Sequence, residues 1–227
     1  METVVLSVGG SVLIGDDGPD TAYIRALAKV LLGLSGRYRL YIVTGGGKVA
    51  RQYIMAGRAL GADESYLDEM GIEVTRLNAR LLITVLGERS NHAPAKNYEE
   101  AVHLGRTHSI VVMGGVSPGI TTDAVSALLA ERVRAVRLVN ATSVAGAYTS
   151  DPRKDSSARM IPAMSHRELV ALVSGAPHAA GPNNVFDPVG AQVLERSRIP
   201  LMIVDGRDLK NLRDAVEGRK FKGTLVS

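Results

Sequence analysis

Thr44-Gly45-Gly46-Gly47-Lys48-Val49-Ala50-Arg51 divides two segments of different period. Before it, Tyr38-Arg39-Leu40-Tyr41-Ile42-Val43 is a short apolar, β-branched run that reads as a buried strand. After it, Val49, Tyr53, Ile54 and Leu60 recur at helical spacing, and Gly61 is placed to stop the helix. A strand, three glycines and a helix make an anion-binding geometry. Glycines let the backbone come close to a phosphate, and the first helical turn offers unpaired N–H groups at the positive end of the dipole. Lys48 and Arg51 lie at that end, where the dipole disfavours cations. A bound anion would offset the cost; two solvated cations on a surface helix are the plainer reading.

The chain has 227 residues, of which 45% are hydrophobic and 22% charged. That is enough to bury a sizeable core in one large α/β domain or two intimate lobes. With no cysteine, disulfides, thiolate metal sites and cysteine nucleophiles are excluded. Met1-Glu2-Thr3 leads into a strand without a basic leader, and no apolar run approaches the about 20 residues that span a bilayer. A soluble cytoplasmic protein is expected. The net charge is +4, but the cations are interleaved with acids and the aromatics are few. A small anionic ligand accounts for this better than a nucleic acid does.

Thr3-Val4-Val5-Leu6-Ser7-Val8 is a first strand, broken by the loop Gly9-Gly10-Ser11. Asp16 to Asp20 is turn chemistry that supplies an N-cap for a helix over 21–34. Residues 62–71 read as a polar connection rich in carboxylates, with a helix over 72–86 and a shorter one over 98–104. The strand 109–113 runs into Gly114-Gly115, and a helix begins near Thr122 and Asp123. The second half offers a strand at 135–139, a loop from Asn140 to Pro152, an irregular stretch at 154–158, helices at 165–174 and 188–197, a strand at 200–206, a helix at 209–217 and a closing strand at 224–226. Three strands of the first half thus end in Gly-Gly turns. Open α/β sheets bind ligands outside the carboxyl ends of their strands, so three such turns on one edge would line a crevice with backbone N–H groups.

Known phosphate motifs fit poorly. Gly45-x-Gly47-x-x-Ala50 has the dinucleotide spacing, but the acidic residue at the right distance, Asp68, falls between helices rather than at a strand end. The P-loop pattern fails, because Val49 follows Lys48 and Ile42 holds the first glycine position. The histidines show no metal spacing and there is no nucleophile elbow. Phosphate binding without acid–base machinery points to phosphoryl transfer, where positioning and charge neutralisation dominate. A phosphate monoester acceptor, with a second pKa of about 6, is already a dianion at pH 7 and requires no general base.

Four segments carry a family resemblance: 44–51, Tyr66-Leu67-Asp68-Glu69-Met70-Gly71-Ile72, the run 114–124 and Gly146-Ala147-Tyr148-Thr149-Ser150-Asp151-Pro152. In this order they resemble the amino acid kinase superfamily, and in particular archaeal-type uridylate (UMP) kinases, over nearly the whole chain. The resemblance implies a three-layer αβα sandwich on a largely parallel sheet, a single domain over 1–227. Its lobes would be a UMP half over 1–134 and an ATP half over 135–227. It implies transfer of the ATP γ-phosphoryl group to UMP in pyrimidine biosynthesis, with Mg²⁺ carried by ATP and no metal held by the protein. It also implies a homohexamer, with neither nucleic acid nor membrane as a partner.

By the same resemblance, Gly46, Asp68, Val116, Ser117, Pro118, Gly119, Ile120, Thr121 and Thr122 would hold UMP. Gly9, Gly10, Ser11, Gly47 and Arg51 would contact the ATP phosphates, while Thr142, Tyr148 and Asp151 would surround adenosine. Arg51 would stabilise transition-state charge through its bidentate fork, and Asp187 would touch Mg²⁺ or water indirectly. Plainer roles stand beside these: helix caps for Asp68, Asp187, Thr121 and Thr122, and the core edge for Tyr148. Two positions depart from the family pattern. Ser7 stands where many members place a phosphate-bridging lysine, and Ala145 where most place an aspartate; Lys48 is the candidate replacement cation. The alternatives are an isopentenyl phosphate kinase-like enzyme, which typically has a histidine where Thr44 stands, and a non-catalytic nucleotide-binding regulator.

Overall fold

Alternation along the first strand sorts the molecule into layers. In a computed structural model that describes residues 1–150, 155–174 and 185–227, β1 (Glu2–Val8) sends Val4, Leu6 and Val8 into one core and Val5 into another. The same period of two splits β4 (Tyr38–Thr44), with Leu40 and Ile42 on the first side and Tyr41 and Val43 on the second. Helices cover both faces, as parallel strands require. The first core is closed by α2 (Thr21–Leu34), α4 (Glu64–Leu86) and α9 (Leu209–Val216); the second by α5 (Tyr98–Leu104), α6 (Thr122–Arg132), α7 (His166–Ser174) and α8 (Pro188–Ser197). The result is the expected αβα sandwich.

Among the described residues the central sheet has seven strands in the order β5-β4-β1-β6-β8-β9-β7. Here β5 is Ile110–Met113, β6 Arg137–Thr142, β7 Ala163–Met164, β8 Leu201–Asp205 and β9 Thr224–Val226. The pairs β5–β4, β4–β1, β1–β6 and β6–β8 are parallel, and β9 returns antiparallel beside β8. The three strands that end in Gly-Gly turns are therefore adjacent and share one carboxyl edge.

Local signals account for most boundaries. Asp20 caps α2 by accepting the Tyr23 N–H at 2.9 Å, and Gly61, at φ +89°, follows the last turn of α3 (Gly47–Ala59). Several expectations need correction. The polar connection at 62–71 is the start of the 23-residue helix α4. Its N-cap is Asp63, which accepts from Tyr66 N–H at 2.9 Å, so Asp68 is a mid-helix residue and not a cap. Only Leu67 is buried in its first two turns, too sparse a pattern to reveal the helix. The strand placed at 135–139 runs instead from Arg137 to Thr142, with Ser7 opposite Asn140 and Val8 opposite Ala141. Asn140 is buried there because Val185 O accepts its side-chain N–H at 3.3 Å. The loop expected at 9–11 enters a short helix, α1 (Gly10–Leu13), followed by the hairpin β2 (Ile14–Gly15) and β3 (Gly18–Pro19).

Two glycine substitutions separate packing from propensity. A Cβ at Gly10 would lie 2.6 Å from Gly47 Cα, so Gly10→Ala is expected to lower Tm by about 5 °C or more through overpacking. Gly33, exposed within α2, has nothing within 4 Å of an added Cβ. Gly33→Ala is expected to raise Tm by about 2–4 °C, since alanine favours a helix by about 1 kcal/mol. Thermal unfolding at pH 7 checks both.

Candidate active site

The turns after β1 and β4 nearly touch. A Cβ at Gly47 would sit 2.6 Å from the Gly10 carbonyl, and one at Gly45 2.7 Å from Gly10 N. Gly47 also has φ +66°, so a side chain there is refused twice. Gly45 N–H donates to Val8 O and Gly9 N–H to Ala141 O, each at 2.9 Å. These bonds pin both turns to the edge of the sheet. α3 opens with Gly47 and has neither a side-chain cap nor an acid in its first turn, leaving its N-terminal donors for a ligand.

A cleft of about 460 Å³ opens beside this contact. It is lined by Gly46, Gly47, Arg51, Asp68, Thr75, Gly115, Ser117, Gly119, Ile120, Thr121 and Thr122, among others. Most of the expected acceptor set is thus assembled, with Arg51 on the same wall. Val116 and Pro118 face the other way, into a groove of about 840 Å³ between α3 and α4. Asp68, from the second turn of α4, accepts the Gly119 N–H at 2.7 Å and so holds the 116–122 loop across the cleft.

On the donor side, Gly9 and Gly10 meet the ends of β4 and β6, where Thr142 accepts from Gly206 N–H at 2.8 Å; Ser11 lies in α1 behind them. Tyr148 is partly buried on the loop that bridges to Met160, and Asp151 lies outside the described residues. Lys48 is not in the cleft lining. Its Nζ donates to Asp16 Oδ1 of the β2–β3 hairpin at 3.1 Å. Asp187 caps α8, accepting Gly190 N–H at 2.9 Å on one oxygen and the Thr121 hydroxyl at 2.8 Å on the other. Thr121 in turn caps α6 by accepting from Ala124 N–H at 3.2 Å. The helix-cap readings of Asp187 and Thr121 are therefore correct, and one bond joins the two helix starts.

Three polar residues, Asp123, Thr75 and Asn78, were given no role in the site from sequence. Ser7, on the α6 side of β1, donates to Asp123 Oδ1 at 2.9 Å across a separation of 116 residues. Burial pushes the Asp123 carboxyl up to about 6; the Asp187 carboxylate adds to the rise and the Ser7 hydroxyl opposes it. Thr75 and Asn78 of α4 bond to the glycine turns. Their signal was a stripe with Asp68 at 68, 75 and 78, hidden as long as the helix was started at 72.

Backbone amides at the carboxyl edge of a parallel sheet and a cleft lined by an arginine define an α/β protein built to hold phosphates. The sequence model of the amino acid kinase family matches residues 2–205. The chain is 47% identical over 226 residues to the uridylate kinase of Methanoculleus marisnigri, covering 100% of this chain and 96% of that one. It is 46% identical over 228 residues to the uridylate kinase of Methanospirillum hungatei, covering 100% and 95%. The crystal structure of uridylate kinase from Archaeoglobus fulgidus superposes with a TM-score of 0.89 at 39% identity, covering all of both chains. This chain belongs to the amino acid kinase family.

The raised Asp123 carboxyl has a sign that can be tested. Its proton is held more tightly in the folded than in the unfolded chain, so folding loses stability as pH rises from about 4 through about 6. Asp123→Asn removes that loss and keeps an acceptor for Ser7. In the ligand-free protein its Tm relative to wild type is expected to be about 3 °C or more higher at pH 8 than at pH 4.5, as measured by scanning calorimetry.

Proposed function

We propose that this chain is a UMP kinase of pyrimidine nucleotide synthesis. The bond between the β,γ-bridging oxygen and the γ-phosphorus of ATP breaks as a UMP phosphate oxygen bonds to that phosphorus, giving ADP and UDP. The observation that carries the reading is the contact of Gly10 with Gly47, which sets a donor turn against an acceptor cleft so that two phosphates can meet end to end. The uridylate kinases related to it along their full length support the choice of UMP. Residues 1–134 would supply the acceptor half and 135–227 the rest of the donor half, including Thr142 and Tyr148, with Asp151 assigned by resemblance alone.

Arg51 lines the cleft and makes no ion pair among the described residues, so its guanidinium is available to bridge phosphate oxygens as charge builds on the transferring group. Lys48 would join it by leaving Asp16. Asp187, with both oxygens engaged, would act by fixing Thr121 and the start of α8. Mg²⁺ would come with ATP. Asp68, Asp123 and Asp187 each already accept a hydrogen bond, and no group of three or more metal-binding side chains occurs among the described residues. This donor set fits an ion carried by phosphates better than one caged by the protein.

Two competing readings meet specific positions. Thr44, where isopentenyl phosphate kinases typically have a histidine, is buried, donates to Thr75 O at 2.9 Å and is not among the residues that line the cleft. Ser7 and Ala145 favour a regulator that binds without turnover. A cytoplasmic homohexamer is the proposed state. No described helix is long and apolar enough to cross a membrane, and Tyr53, Tyr66 and Leu77 are exposed around the groove between α3 and α4, an apolar patch suited to a second copy.

A coupled ADP-release assay with a panel of monophosphates is expected to show turnover with UMP far above CMP, AMP or isopentenyl phosphate; binding of ATP and UMP without turnover defeats the proposal. Arg51→Ala is expected to lower kcat by about 10²–10³-fold, with Arg51→Lys in between. Leu77→Lys is expected to reduce the mass measured by light scattering.

A further inference from the structure

Asp68, Thr75 and Asn78 form one stripe of α4, and each ends on the backbone of a cleft turn. Asn78, 4% exposed, donates its side-chain N–H groups to the carbonyls of Gly45 at 2.8 Å and Gly46 at 3.3 Å. Thr75, 7% exposed, accepts the Gly115 N–H at 2.7 Å while its hydroxyl donates to Ile72 O at 2.6 Å. Thr44 at the end of β4 donates to the Thr75 carbonyl. Both glycine turns that flank the acceptor site are thus tied to one helix, through side chains that sit beneath the turns.

The direction of these bonds matters. In a trans peptide the C=O and the following N–H point to opposite sides. Asn78 holds the Gly45 carbonyl, and Asn78 together with the Ala50 N–H of α3 (3.4 Å) holds the Gly46 carbonyl, which turns the N–H groups of Gly46 and Gly47 to the opposite side. Neither N–H has a protein acceptor among the described residues. Three consecutive glycines are otherwise free to flip, and a flipped peptide would present a carbonyl where a phosphate oxygen is to sit. We infer that Asn78 and Thr75 are positioning residues for phosphoryl transfer: Asn78 orients the amide donors of the triple-glycine turn, and Thr75 sets the Gly114-Gly115 turn against it. This rests on the kinase reading above. Preorganised donors gain most as charge builds in the transition state, so their loss falls on kcat more than on KM.

The test uses the full-length protein with Asn78→Asp, which keeps the shape without the N–H donors, Asn78→Leu, Thr75→Val and Thr75→Ser. The Asn78 variants and Thr75→Val are expected to lower kcat by about 10–100-fold, with KM for either nucleotide changed less than about threefold and Tm above the assay temperature. Thr75→Ser is expected to stay within about twofold of wild type. In ¹⁵N-glycine-labelled wild-type protein the Gly46 and Gly47 amide resonances are expected to shift on adding ADP, and to lose that shift in Asn78→Asp. The inference is overturned if folded Asn78 variants keep kcat within threefold of wild type. It is overturned equally if Thr75→Ser is as impaired as Thr75→Val, or if the amide shifts survive in Asn78→Asp. Should the Asn78 variants not fold, the Thr75 pair decides. Wild-type protein that fails to phosphorylate UMP refutes the kinase reading, and the amide shifts still decide the clamp.

Discussion

The approach of the Gly9-Gly10 turn to the Gly45–Gly47 turn is the constraint on which the rest depends. No side chain fits at Gly10, Gly45 or Gly47, so two backbones meet where most proteins would interpose side chains. That closeness follows from parallel pairing of β1 with β4 in a register that ends both strands together, with Val8 opposite Thr44. The Gly9 and Gly10 carbonyls are used within α1 and those of Gly45 and Gly46 by Asn78, so among the described residues Gly10, Gly46 and Gly47 are left to present N–H groups. A surface of amide donors without side chains suits a ligand whose charge is spread over many oxygens, because each oxygen meets a small fixed dipole and no flexible group must be ordered.

Around this contact the carboxylates act as struts. Asp68 takes the Gly119 N–H, Asp187 joins Thr121 to the start of α8, and Asp123 takes the Ser7 hydroxyl. An anion near a phosphate site would repel the ligand unless neutralised. Capping bonds do this for Asp187 by placing it at the positive end of α8. Asp123, whose carboxyl burial holds up to about 6, stays mostly ionised at pH 7 and is met by the neutral Ser7 hydroxyl.

Much of the plan was legible in the sequence because it is written locally. Strands announced themselves by short β-branched runs, and α2 by Asp20 and its apolar spacing. The acceptor residues came by resemblance, and the cleft gathers Gly46, Asp68, Ser117 and Gly119 through Thr122. The failures share a cause. α4 begins with charged turns that bury only Leu67, so periodicity could not find its start. β6 carries a buried Asn140 whose acceptor is Val185, and a polar residue in a strand looks like a loop until that acceptor is known.

By itself the sequence determined the alternation of strands and helices, the three glycine turns and the helix caps, each of which depends on neighbours a few residues away. The tertiary structure alone decided which turns stand side by side and which polar groups serve them. Asn78 reaches a turn 33 residues back, Thr75 one 40 residues on, and Ser7 a carboxylate 116 residues away. Such partners are chosen by strand order and helix packing, and spacing along the chain carries no trace of them.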